Sequence, residues 1–182
     1  MNFIDVTTWK QGLLLAPDQF LWLMGGMGIT AVIVFVCLYF VNAGYGKMIS
    51  AKWGPAISNK TAWILMECPV FFVLLYFWAL SPRKFDTAPL IFFLLFELHY
   101  FQRSFIFPFL LKGKSKMPIA IMLMGMIFNT LNGYLQGEWI FFIAPDDMYT
   151  AAWITTPQFI VGVLLFFVGM DINLHSDHVI RH

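Results

Sequence analysis

Five stretches of this chain are apolar for about as long as a helix needs to cross a bilayer, and that excludes most folds. They lie at roughly 19–42, 61–80, 88–111, 117–140 and 153–172. A hydrocarbon core of about 30 Å takes about 20 residues of α-helix. The runs are continuously apolar and lack the alternation of a membrane-barrel strand, so helices are expected in all five. The breaks between them, NAGYGK, SPRKFDTAP, KGKSKMP and APDDMYT, are rich in turn residues. Composition agrees: 60% of residues are hydrophobic and 12% charged, against about 45–50% and about 25% in soluble domains. The expected fold is all-α, a polytopic integral membrane helix bundle of about five transmembrane helices, with 1–182 as a single transmembrane domain. Pro108, near the end of the third run, should kink or terminate its helix. No basic tract points to nucleic acid. Cys37 and Cys68 lie in apolar runs and read as small buried hydrophobes, without a disulfide framework. The opening MNFIDVTTWKQGLLLAPDQF carries acids and no basic n-region, so no cleavable signal peptide is expected.

Basic residues in short loops orient the runs. Lys47, Lys52 and Lys60 follow the first run and Lys112, Lys114 and Lys116 the third; Arg181 is in the tail. The other side has Lys10, Arg83 and Lys84, and the loop after the fourth run carries Glu138, Asp146 and Asp147. The positive-inside rule then places the N-terminus outside or in the lumen and the C-terminal HSDH segment in the cytosol. A bacterial inner membrane and an endoplasmic reticulum both fit.

Ionisable side chains within the runs are the functional candidates, because each costs at least about 2.5–3.5 kcal/mol at the bilayer centre. Glu67 is in the second run (WILMECPVFF); Glu97, His99 and Arg103, with Tyr100 and Gln102, are in the third (FELHYFQRSF). At about 100° per residue, His99 and Arg103 share a face, with Tyr100 about 60° from Arg103 and Glu97 about 60° further. At about 1.5 Å per residue, Glu67 is about 9 Å, Arg103 about 12 Å and Tyr100 about 16 Å from the cytosolic end, so they could line one cavity open to that side. A purely structural alternative pairs Glu97 with Arg103 or His99 and leaves Glu67 protonated and locally bonded. In the fourth run, Asn129, Asn132 and Gln136 share a face, and Gly133 with Gly137 form a GxxxG that reads as close helix packing. The asparagines fit either a site or interhelical hydrogen bonds. GGMGIT in the first run follows no strand and is no dinucleotide loop.

Several phrases, taken together, resemble the steroid 5-alpha-reductase family of integral membrane oxidoreductases: AGYGK (43–47), MECP (66–69), LHYFQRSF (98–105), LNGYLQG (131–137) and GMDINLHSDHVIR (169–181). Their order and spacing agree from about residue 40 onward. The resemblance implies NADPH-dependent reduction of the double bond conjugated to a 3-ketone, as in a 3-oxo-Δ4 steroid. It implies Glu67 and Tyr100 at the substrate carbonyl, where a tyrosine hydroxyl and a protonated, desolvated glutamic acid would stabilise the charge raised by hydride addition. It places Asn173, His175, Asp177, Arg181, Arg103, Gly46, Lys47 and Asn132 around the cofactor; Lys114 joins them as a cation suited to a pyrophosphate. The partners implied are an apolar enone and the lipid bilayer, with no protein partner. Family members continue past position 182 with further membrane helices that complete the cofactor site, so activity is expected of the intact protein. Met66 stands where many relatives place glutamine.

Three other readings remain open. An enoyl-lipid or another enone would keep the same chemistry. A non-enzymatic transporter would use midmembrane charges for an ion path, though no internal repeat is visible. A metal oxygenase is suggested by His175, His178 and His182, spaced i, i+3, i+7; with four histidines in the chain, no metal site is expected.

Overall fold

The computed structural model describes residues 14–41, 43, 44 and 49–181. Its backbone divides into two compact units, Met1–Ala43 and Gly44–His182.

The first unit contains one helix, α1 (Pro17–Cys37). Pro17 suits the first helical position, where no amide hydrogen is needed, and the Gln19 carboxamide accepts from the Ala16 amide at 3.1 Å. The helix stops before the expected residue 42. Tyr39 and Phe40 donate to carbonyls three residues back, so the chain tightens into a closing turn.

The second unit holds four long helices: α2 (Asn59–Leu80), α3 (Thr87–Leu110), α4 (Ile119–Ile143) and α5 (Pro157–Arg181). With α1, five described helices are long and apolar enough to cross a membrane. Two three-residue strands in the loops, β1 (Ala56–Ser58) and β2 (Lys116–Pro118), pair antiparallel with Ile57 opposite Met117. Each strand runs directly into a helix, and Ile119 N–H donates to the Pro55 carbonyl at 2.9 Å. The starts of α2 and α4 are thereby clipped side by side.

From that clip the two helices run parallel and close. Gly125, Gly133 and Gly137 recur with Asn129 at four-residue spacing, which forms one ridge on α4. A Cβ on Gly133 would meet the Val70 carbonyl oxygen at 2.9 Å, and one on Gly137 would meet Phe77 at 2.8 Å. The GxxxG is close packing, as the sequence indicates. The facing side of α2 buries Trp63, Glu67, Val70, Leu74 and Phe77.

Pro108 acts through the turn before it. A proline ring crowds the carbonyl four residues back and offers that carbonyl no hydrogen. The backbone widens to π-helix over Gln102–Ile106, with Phe107 N–H donating to Gln102; the helix then ends at Leu110. A second π turn, Trp139–Ile143, extends α4. This corrects the placement of Glu138, which is not in a solvated loop but fully buried within the helix. The fifth helix starts at Pro157, later than the expected residue 153 because Ala151–Thr155 forms a separate 3-10 turn, and it carries the polar tail to Arg181.

At the opposite end of the bundle from β1–β2, Arg83 ties two loops. Its Nη1 donates to the Ala144 carbonyl at 2.8 Å, and Asp86 and Asp146 lie 3.5 and 3.8 Å away. The Ser81 hydroxyl donates to the Phe141 carbonyl nearby. Arg83→Met should lower stability by about 1.5–3 kcal/mol, the usual worth of a charged hydrogen bond. Thermal unfolding in detergent measures this; an unchanged Tm would show that the tie is dispensable.

Candidate active site

The widened turn of α3 places Arg103 at the centre of the polar groups. Its guanidinium lies 4.5 Å from the Trp63 ring centre and 4.8 Å from that of Phe107, a stacked cation held by two aromatic faces. Nη1 donates to Asp177 Oδ2 at 3.0 Å, and Nη2 is 3.8 Å from Glu67 Oε1. The first contact is a charge-assisted hydrogen bond; the second is too long to be one. Asp177 therefore supplies the counter-charge, leaving Glu67 as a second, looser neighbour. Breaking a half-buried pair of this kind from one side costs about 3–5 kcal/mol.

Glu67 and Tyr100 each take a hydrogen bond from α4. Asn129 Nδ2 lies 2.8 Å from the Met66 carbonyl oxygen and 3.1 Å from Glu67 Oε2. Asn132 Nδ2 lies 3.1 Å from the Tyr100 hydroxyl, whose ring packs on Phe96 at 4.7 Å. A cavity of about 340 Å³ opens among these groups, lined by Glu67, His99, Tyr100, Arg103, Asn129 and Asn173, with Met66, Gly125 and Phe128 completing the wall. A larger and mostly aromatic cavity of about 510 Å³ lies between α3, α4 and α5; Phe96 and Gln136 border it, one helical turn from Tyr100 and Asn132.

The residues singled out from sequence thus divide. Glu67, Tyr100, Arg103 and Asn173 line one cavity, Asp177 backs Arg103, and Asn132 touches Tyr100. Asn173 and Asp177 share a face of α5 at four-residue spacing. His175, about 200° round from Asn173, is exposed and outside the lining, as is Lys114 in its loop. Gly46 and Lys47 lie outside the described residues, and so does the side chain of Arg181. The structural alternative, in which Glu97 pairs with Arg103 or His99, does not hold. Glu97 is buried with no hydrogen bond to either carboxyl oxygen, six residues and most of a half-turn from Arg103, which is engaged by Asp177. Face-counting leaves both Asn129 and Asn132 ambiguous; the spacing of Asn129 from Gly125 and Gly133, both on the packed ridge, is the signal that it points at α2. Among the described residues, no three His, Cys, Asp or Glu side chains converge to hold a metal ion.

Membrane-length helices converging ionisable groups on one internal cavity define an integral multi-pass membrane protein with a built polar site. Comparison with known proteins refines this. The family profile described as 3-oxo-5-alpha-steroid 4-dehydrogenase matches residues 115–182. The chain is 35% identical over 143 residues to 3-oxo-5-alpha-steroid 4-dehydrogenase 1 of Macaca fascicularis, covering 78% of this chain and 53% of that protein. It is 34% identical over 151 residues to steroid 5-alpha-reductase DET2 of Arabidopsis thaliana (80% and 57%). With 3-oxo-5-alpha-steroid 4-dehydrogenase 2 of Sus scrofa it shares 36% over 162 residues (87% and 62%). The chain belongs to the steroid 5-alpha-reductase family. It spans about half to two thirds of the length of these curated relatives.

Proposed function

We propose that this chain carries the substrate-polarising half of a membrane reductase that acts on the conjugated C=C of a 3-oxo-Δ4 steroid. The observation that carries the reading is the meeting of Glu67, Tyr100 and Arg103 in one cavity, with Asp177 already neutralising the arginine. Adding hydride to the β-carbon moves negative charge onto the carbonyl oxygen, and the enol or enolate then takes a proton at the α-carbon. Tyr100 donates its hydroxyl hydrogen toward that oxygen. Glu67, with its arginine neighbour neutralised elsewhere, acts beside it as a neutral acid. Two donors already in place stabilise the developing oxyanion without having to reorganise.

NADPH fits the described residues in part. A cavity of about 340 Å³ takes a carboxamide-bearing ring but not a whole dinucleotide together with a steroid. Asn173 and Arg103 are the lining donors suited to it. Lys114, His175, Arg181, Gly46 and Lys47 are assigned to its outer, phosphate-bearing part, with Asp177 holding Arg103. The bound cofactor supplies the hydride; the chain supplies position and electrostatics. In the bilayer we orient the N-terminus outward, or to the lumen, and open the site to the cytosol, on the basis of the basic loops. An enoyl-lipid reductase would use the same residues.

The test is anaerobic incubation of the purified protein in detergent with reduced nicotinamide cofactor and either a 3-oxo-Δ4 steroid or an enoyl-lipid. Steroid-dependent cofactor oxidation is expected; none with either substrate would overturn the reading. Glu67→Met should reduce turnover by about 10²-fold, as for loss of an oxyanion donor. Glu67→Gln keeps an N–H donor in the same place and should retain more activity than Glu67→Met. The reverse ranking would show that Glu67 does not act as an acid.

A further inference from the structure

The two α4 asparagines are one turn apart, and each touches one of the two groups assigned to the substrate carbonyl. Packing alone does not require them. Gly125, Gly133 and Gly137 on the same ridge bring α2 and α4 together with no side-chain polar atom, and Asn129 is 6% exposed among them.

The direction of the Asn129 bonds follows from what each partner can do. The Met66 carbonyl can only accept, so the amide nitrogen and not its oxygen must face it. The same nitrogen reaches Glu67 Oε2, so its two hydrogens have two takers and Oε2 is an acceptor. A proton on this carboxyl is then confined to Oε1. That oxygen has Arg103 at 3.8 Å, beyond hydrogen-bond length. Tyr100 is arranged in the same sense: its oxygen accepts from Asn132, which leaves its own hydrogen to be donated elsewhere.

We propose that Asn129 and Asn132 are positioning residues that set the direction of hydrogen bonding at Glu67 and Tyr100, so that both groups meet the substrate carbonyl as donors. This rests on the reductase reading above for its catalytic meaning; the direction of the Asn129 bonds stands on geometry alone.

Infrared spectroscopy of protein labelled with ¹³C-carboxyl glutamate tests it, with Glu67→Gln identifying the Glu67 band. In wild type the acid's C=O oxygen is Oε2, bonded to Asn129. In Asn129→Leu that oxygen loses its donor and the C=O band should move to higher frequency. Turnover should fall about tenfold with KM within about twofold, the signature of an interaction made in the transition state. Asn129→Ser serves if the leucine does not assemble, because a helical serine returns its hydrogen to its own backbone four residues back and leaves Glu67 without a donor. An unmoved band in both variants overturns the proposal, as does a wild-type spectrum with no Glu67 carboxylic-acid band. A moved band with unchanged kcat also overturns it, making Asn129 a helix tie alone. A wild type that oxidises no cofactor with any enone sinks the reductase reading instead, and the band shift still judges the bond directions.

Discussion

Tyr100→Phe is expected to lower kcat by about 10²–10³-fold, the loss found when one preorganised donor is removed from a developing oxyanion. The substitution is clean here. The ring is held by Phe96 at 4.7 Å and by the edge of His99 at 5.0 Å, and neither contact needs the hydroxyl. Phenylalanine therefore occupies the same slot, and the change is confined to one O–H and the Asn132 bond it accepts. Cofactor affinity, measured by fluorescence titration, should stay within about threefold, because the loss is in the transition state. Wild-type turnover in Tyr100→Phe would place the carbonyl elsewhere.

Gly133→Ala should loosen the bundle strongly for the addition of one methyl. Its Cβ would lie 2.9 Å from the Val70 carbonyl oxygen and 3.2 Å from the Val70 Cα, which are backbone atoms that cannot rotate away. Relief requires α2 and α4 to separate, at a cost of about 1–3 kcal/mol for overpacking. Separation also lengthens the Asn129 bonds to Met66 and Glu67, so turnover should fall with stability. Gly125→Ala is the control, since it would meet only the flexible Met66 side chain. Equal thermal stability for the two variants would contradict close backbone contact at Gly133.

The parts of the fold that were legible in the sequence are those that the lipid enforces. Twenty apolar residues have few alternatives to a helix, so the five spans appear where the runs lie. Charges that a bilayer penalises have a strong reason to cluster, and this brought Glu67, Tyr100 and Arg103 under suspicion together. The failures arise where the cause is local or depends on a neighbour. The π turn at Gln102–Ile106 settles a conflict between Pro108 and one carbonyl, and hydropathy does not register it. The tail stays helical to Arg181 because polar residues outside the apolar run give a helix no reason to stop. Read by charge, Glu138 falls with Asp146 and Asp147 in the loop after the fourth run, whereas the second π turn carries the helix past it. Asn129 needed the packing partner of its ridge, and a helical wheel does not supply the partner. The β1–β2 pair is three residues a side, too short to leave a periodicity.

That short pair has a mechanical consequence. Because it clips α2 and α4 at their starts and the glycine ridge holds them along their length, the two helices meet a change in bilayer thickness as one plank. A thinner or thicker membrane tilts the plank, and mismatch of this kind costs fractions of a kcal/mol per ångström. Glu67, Asn129 and Asn132 all ride on it, so their mutual register survives the tilt. Tyr100 and Arg103 belong to α3, which meets the plank through Arg103 on the Trp63 ring and through Tyr100 on Asn132.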